Sequence, residues 1–94
     1  MSITQCKLDG NDIRSLDDLY DQLSAQLSLS AHFGRNLDAL WDALSTDVAG
    51  PFKIIWEHAE ISKKHMGKDF ERAVMLLKDL KKERDDFTLK IENK

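Results

Sequence analysis

The chain has little of what most small chemical sites require. It holds one cysteine in 94 residues, Cys6, which excludes an internal disulfide and any multi-cysteine zinc site. Set in an apolar stretch, Cys6 reads as a small buried hydrophobe. No apolar run approaches the roughly 20 residues that cross a bilayer. Met1-Ser2-Ile3-Thr4-Gln5 lacks the basic and apolar regions of a leader. The expectation is a soluble cytoplasmic chain with no membrane partner. His32, His58 and His65 show no metal-binding spacing, and neither a G-x-G-x-x-G nor a P-loop is present, so no metal, phosphate cradle or cofactor is expected. With no internal repeat, linker or low-complexity tract, residues 1–94 read as one domain with one core.

Glutamate is missing from the first half. Residues 1–51 carry Lys7, Arg14 and Arg35 against eight aspartates, whereas residues 52–94 carry eleven bases and nine acids. The net charge of −3 therefore conceals an acidic first part and a mildly basic second part. Such a field repels nucleic acid and attracts a basic partner.

What is present alternates between strand and helix signals. Ile3–Leu8 reads as a strand stopped by the turn cluster Asp9-Gly10-Asn11. Ser15 or Asp17 can cap a helix to about Leu27, with Leu16, Leu19, Tyr20, Leu23 and Leu27 as its core stripe. Residues 28–34 make a surface loop. Phe52-Lys53-Ile54-Ile55-Trp56 reads as a central parallel strand buried on both faces, preceded by Gly50-Pro51, a candidate cis bond. Glu57–Met66 reads as a short helix carrying His58 and His65, ended by Gly67. A longer helix opens at Asp69, with Phe70, Ala73, Val74, Leu77 and Leu80 at helical spacing. Glu83–Asp86 is a charged turn, and Phe87–Ile91 alternates as a strand with one buried face. The predicted class is α/β in β-α-α-β-α-α-β order, a small three-stranded parallel sheet packed by helices, with right-handed crossovers.

The stretch from Gly34 to Leu44 is the distinctive one. Asn36 is a good N-cap, and Leu37, Leu40, Trp41 and Leu44 fall at i, i+3, i+4 and i+7 on one apolar face. Asp38 and Asp42 sit four apart on a neighbouring face, a like-charge pairing that costs an isolated helix roughly 0.2–0.5 kcal/mol. The helix dipole excuses Asp38 in the first turn but not Asp42, and no base lies three or four residues from Asp42. The plain alternative is a solvated acidic face; the functional one is a surface for something cationic. Acid–base catalysis by the pair would need two different environments and a cleft, whereas both carboxylates are expected wet and ionised, so no enzyme is predicted.

Gly34, the run Asn36-Leu37-Asp38-Ala39-Leu40-Trp41-Asp42, Leu44 and Pro51 resemble the barstar family, intracellular bacterial inhibitors of the secreted ribonuclease barnase. Asp9 and Gly10, Ile13-Arg14-Ser15, Asp18-Leu19, Trp56 and Lys63 match more diffusely, and the resemblance covers nearly the whole chain. It implies that the acidic helix and its preceding loop plug a ribonuclease active site built of arginine, lysine and histidine. Asp42 would stand in for a phosphate and meet an arginine bidentately. Asp38 would pair with a second base, Asp79 would add an acid at the rim, and Trp41 would border the interface. The implied partner-binding set is His32, Asn36, Leu37, Asp38, Ala39, Trp41, Asp42, Ser45, Thr46, Asp47 and Asp79. The free protein is expected to be a monomer. Against the family's best-studied member, His32 replaces a tyrosine, Arg35 an acid, Asp47 a tryptophan and Ala49 another acid. Arg35 is expected to insert positive charge into the surface that should repel it. The competing expectation is a barstar-like domain that binds a different basic protein or toxin.

Overall fold

The computed structural model describes residues 3–93. Strand β1 (Thr4–Asp9) leads through helices α1 (Leu16–Leu27) and α2 (Leu37–Asp42) to β2 (Phe52–Glu57). Helices α3 (Ala59–Met66) and α4 (Lys68–Glu83) then lead to β3 (Phe87–Ile91). The three strands are parallel and lie in the order β1-β2-β3, with Cys6 beside Ile54 and Ile54 beside Leu89. The expected α/β architecture and element order are therefore those of the molecule.

Because the strand order follows the chain and parallel crossovers are right-handed as a rule, both crossovers leave the sheet on the same side. One sheet face, with Cys6, Leu8, Phe52, Ile54, Trp56 and Phe87, is buried under the helices. The other carries Gln5, Lys7, Thr88 and Lys90 into solvent, with Lys53, Ile55 and Glu57 half-buried. This corrects the expectation for β2: an apolar run had suggested burial on both faces, but only alternate residues are fully covered. The edge of β1 is closed by a side chain, since the Gln26 amide accepts from the Lys7 N–H (2.9 Å) and donates to the Lys7 carbonyl (2.7 Å).

The core is one cluster, and burial pushes the Cys6 thiol up to about 12. At its centre the Trp56 indole donates to Ser62 Oγ (3.1 Å), and Ser62 donates to the Gly10 carbonyl (3.3 Å). This relay ties β2, α3 and the turn after β1. Ser15 rather than Asp17 caps α1, accepting from the Asp18 N–H at 3.2 Å, while the Asp18 carboxylate reaches back to the Arg14 N–H at 3.0 Å.

Several boundaries moved. β1 begins at Thr4, leaving Ile3 exposed, and it runs on through Asp9. His58 is left-handed (φ 53°) and precedes α3, so it does not share that helix with His65. Gly67 ends α3 and opens α4 at φ 60°, ψ −127°, which brings the longer helix forward to Lys68. The Gly50-Pro51 bond is cis. The charged turn after α4 is not all solvated, because the Arg84 side chain is only 14% exposed.

Candidate functional site

Asn36 caps α2 as expected: its Oδ1 accepts from the Ala39 N–H at 2.7 Å. The helix is anchored by Leu40, Ala43 and Leu44, all buried, while Leu37 and Trp41 pack half-buried at its flanks. That anchoring leaves Asp38 and Asp42 exposed, and among the described residues neither has a cationic partner within 4.0 Å.

After Asp42 the helix changes pitch. Residues Ala43–Asp47 form a π turn, closed by the Val48 N–H on the Ala43 carbonyl at 3.0 Å. Ser45 and Thr46, expected to face a partner, turn their hydroxyls back onto the Asp42 carbonyl at 3.4 and 2.6 Å. Thr46 also donates to Asp47 Oδ1 at 3.3 Å. In an α-helix Asp47 would lie about 140° round from Asp42. The i→i+5 repeat returns the fifth residue to nearly the same side. His32, Ala39, Asp42 and Asp47 consequently line one groove of about 250 Å³ beside the loop 28–36.

Asp38 faces a different groove, about 720 Å³, between the starts of α1, α2 and α4, where Asp17, Arg35, Asn36, Leu37 and Asp69 join it. Tyr20 forms part of its wall; burial first, and then the charges of Asp17 and Asp69, raise its phenol above the ordinary range. The two aspartates that spacing placed as a pair thus front two neighbouring depressions. Asp79 is exposed on α4 and lines neither of them.

Arg35 lines the same groove as Asp38, as its position suggested, but it is not a bare charge there. It is left-handed (φ 52°), and its guanidinium folds back on α1, 2.9 Å from Asp21 and 3.3 Å from Asp17, with a further bond to the Asp17 carbonyl at 3.2 Å. It lies 5.8 Å from the Tyr20 ring centroid, and the Asp21 hydrogen bond raises its pKa further. Its charge is thus partly offset by α1 while it remains in the groove with Asp38. The loop it closes is also internally bonded: the His32 N–H meets Ser30 Oγ (3.1 Å), the Phe33 N–H meets the Ser30 carbonyl (2.9 Å), and Phe33 packs edge-on to Tyr20 (5.6 Å). His32 itself remains exposed.

Three contributors escaped sequence reasoning. Asp17 and Asp69 join Asp38 only through the packing of α1 and α4, and Arg84 donates to the Leu44 and Val48 carbonyls at 2.8 Å each. Local pattern carries no signal for contacts 36 and 40 residues apart. Among the described residues no group of three or more His, Cys, Asp or Glu side chains could hold a metal, and no helix is long and apolar enough to cross a membrane.

The arrangement is thus a capped, core-anchored helix whose exposed carboxylates, without an ion-pair partner among the described residues, front two neighbouring grooves, a surface chemically suited to cationic groups. Comparison with known proteins shows the family. The family model described as "Barstar (barnase inhibitor)" matches residues 3–92. A Bacillus subtilis (strain 168) protein named "Putative ribonuclease inhibitor YrdF" is 31% identical over 86 residues, covering 90% of this chain and 94% of that relative. By fold, by acidic helix and by these matches, the chain belongs to the barstar family.

Proposed function

We propose that this protein is a cytoplasmic inhibitor of a basic, barnase-type ribonuclease, and that it occludes the enzyme's active site with α2, the π turn and the loop before them. The carrying observation is the set of exposed carboxylates, Asp38, Asp42 and Asp47, none of which has an ion-pair partner among the described residues. An active site that grips RNA phosphates offers guanidinium and ammonium groups to such a surface. Asp42 takes an arginine in the phosphate pocket through both its oxygens, a charge-assisted geometry that a phosphate would otherwise fill. Asp38 and Asp47 meet bases on either side, and His32 and Trp41 border the contact. Because the loop and the cap are already bonded internally, little ordering entropy is lost on docking. The acidic face steers the partner in, and salt weakens that steering. The protein acts by binding and performs no chemistry.

Inhibition of a barnase-type ribonuclease at low and moderate salt, with Asp42→Ala alongside, tests this. The expected result is salt-sensitive inhibition that the substitution weakens by about 2–5 kcal/mol, since it leaves a buried cation unpaired. That corresponds to roughly thirty- to several-thousand-fold in affinity. Fold stability should move by no more than about 0.5 kcal/mol, because Asp42 is exposed and its loss relieves like-charge repulsion. An Asp42→Ala chain that inhibits as well as wild type would overturn the mechanism.

A second reading rests on the groove itself: His32 and Asp47 stand there where the family's best-studied member has aromatic rings. That exchange suits a basic partner other than barnase-type ribonucleases. Failure to inhibit at micromolar concentration, with capture of a basic protein lacking ribonuclease activity, would favour it.

A further inference from the structure

We propose that Arg84, which lines neither groove, is a positioning residue that holds the π turn and so keeps Asp47 in the groove with Asp42; the proposal rests on the inhibitory reading above. Arg84 follows α4, and its backbone N–H closes that helix on the Leu80 carbonyl at 2.9 Å. One edge of its guanidinium is spent on Asp86, with Nε to Oδ1 at 2.9 Å and Nη2 to Oδ2 at 2.7 Å. The remaining nitrogen, Nη1, donates to two carbonyls of the π-turn region, Leu44 and Val48. The carbon of the fork sits 4.9 Å from the Phe52 ring centroid.

This anchorage is itself tied to the sheet. Asp86 is held in turn by its own carbonyl, which accepts the Phe52 N–H at 3.0 Å, so the clamp is bolted to the start of β2. Gly50 passes so close that a Cβ there would overlap the Asp86 carboxylate and crowd Arg84 Nη2. Only a planar fork with several donors can serve Asp86 and two carbonyls at once, and a cation at a helix C-terminus also meets the dipole favourably.

A π turn is rare and has poorer intrinsic support than α-helix. Here the hydroxyls of Ser45 and Thr46 and the Arg84 fork hold it from opposite ends. Asp38 and Asp42 have independent support from the Asn36 cap and the buried Leu40 and Leu44. Without Arg84 the turn relaxes and Asp47 leaves the groove, while the other two carboxylates stay.

The test is a double-mutant cycle on ribonuclease inhibition with Arg84→Met, Asp47→Ala and the double variant, together with amide exchange at Val48, whose N–H closes the turn. The expectation is that Arg84→Met weakens inhibition several-fold in the wild-type background and hardly at all beside Asp47→Ala. Val48 exchange should quicken more than that of the β2 amides. Arg84→Lys, which keeps donors for the carbonyls but not the paired bonds to Asp86, should recover part of the affinity and carries the test if Arg84→Met does not fold. Equal losses in both backgrounds, no loss, or an unchanged Val48 amide would overturn the proposal. A wild-type chain that inhibits nothing would overturn the functional reading instead, and the Val48 amide would then decide the positioning role by itself.

Discussion

Replacing Ser62 by alanine should destabilise the fold without touching the recognition surface. Ser62 and Trp56 are both fully buried, and the serine hydroxyl is the partner of the indole N–H at 3.1 Å. Its other partner, the Gly10 carbonyl, keeps a longer bond from the Ile13 N–H at 3.4 Å, so the main orphan left behind is the indole donor. A buried donor stripped of its acceptor costs about 1–3 kcal/mol. For a domain of this size each kcal/mol lowers Tm by about 4–8 °C. Urea titration followed by far-UV circular dichroism measures the loss directly, and Trp56→Phe supplies the control, because phenylalanine has no N–H to strand. The Ser62→Ala penalty should shrink clearly in the Trp56→Phe background, and inhibition by the folded Ser62→Ala protein should be unchanged. A penalty under about 0.5 kcal/mol, the ordinary range for an unimportant site, or an equal penalty in both backgrounds, would refute the reasoning.

Further expectations follow from the core and the backbone. Cys6 has its thiol raised to about 12 by burial, above the unfolded value of about 8.5. The folded state therefore keeps a proton that the unfolded state loses, and this contribution is complete below about pH 8.5 and is lost as pH rises toward 12. Urea midpoints between pH 7 and 10 should fall more steeply for wild type than for Cys6→Ala, and a thiol reagent should react with Cys6 only when denaturant is added. At Gly67 a Cβ would meet nothing within 4 Å, so the penalty of Gly67→Ala comes entirely from its φ of 60° and ψ of −127°. A cost of about 1–3 kcal/mol in urea unfolding is expected, and a neutral result would contradict that backbone assignment.

Local chemistry was enough to read the layout of this chain. The strand at Phe87–Ile91 announces itself by strict alternation, α1 by its leucine stripe, and α2 by the Asn36 cap ahead of Leu37, Leu40, Trp41 and Leu44. These signals are periodic and short-range, so they survive without any knowledge of the partner surface. The acidic residues of the site were legible for the same reason, since an unneutralised Asp42 can be recognised from its own helical neighbours. Where the reading failed, the deciding contact was distant in sequence. Ile54 and Ile55 look alike in the chain, and only the placing of both crossovers on one side of the sheet buries the first fully and leaves the second half-buried. Arg35 does stand in the groove with Asp38, but that α1 brings Asp17 and Asp21 to offset its charge could not be read from its neighbours in the chain. Asp47 looks remote from Asp42 until the helix widens into a π turn held partly by Arg84. Sequence alone determined which segments fold and which carboxylates stay unpaired on their own helix, because those depend on residues a turn apart. Tertiary structure decided which sheet face is covered, which charges are cancelled and which acids share a groove, because those depend on groups that meet only when the chain has closed.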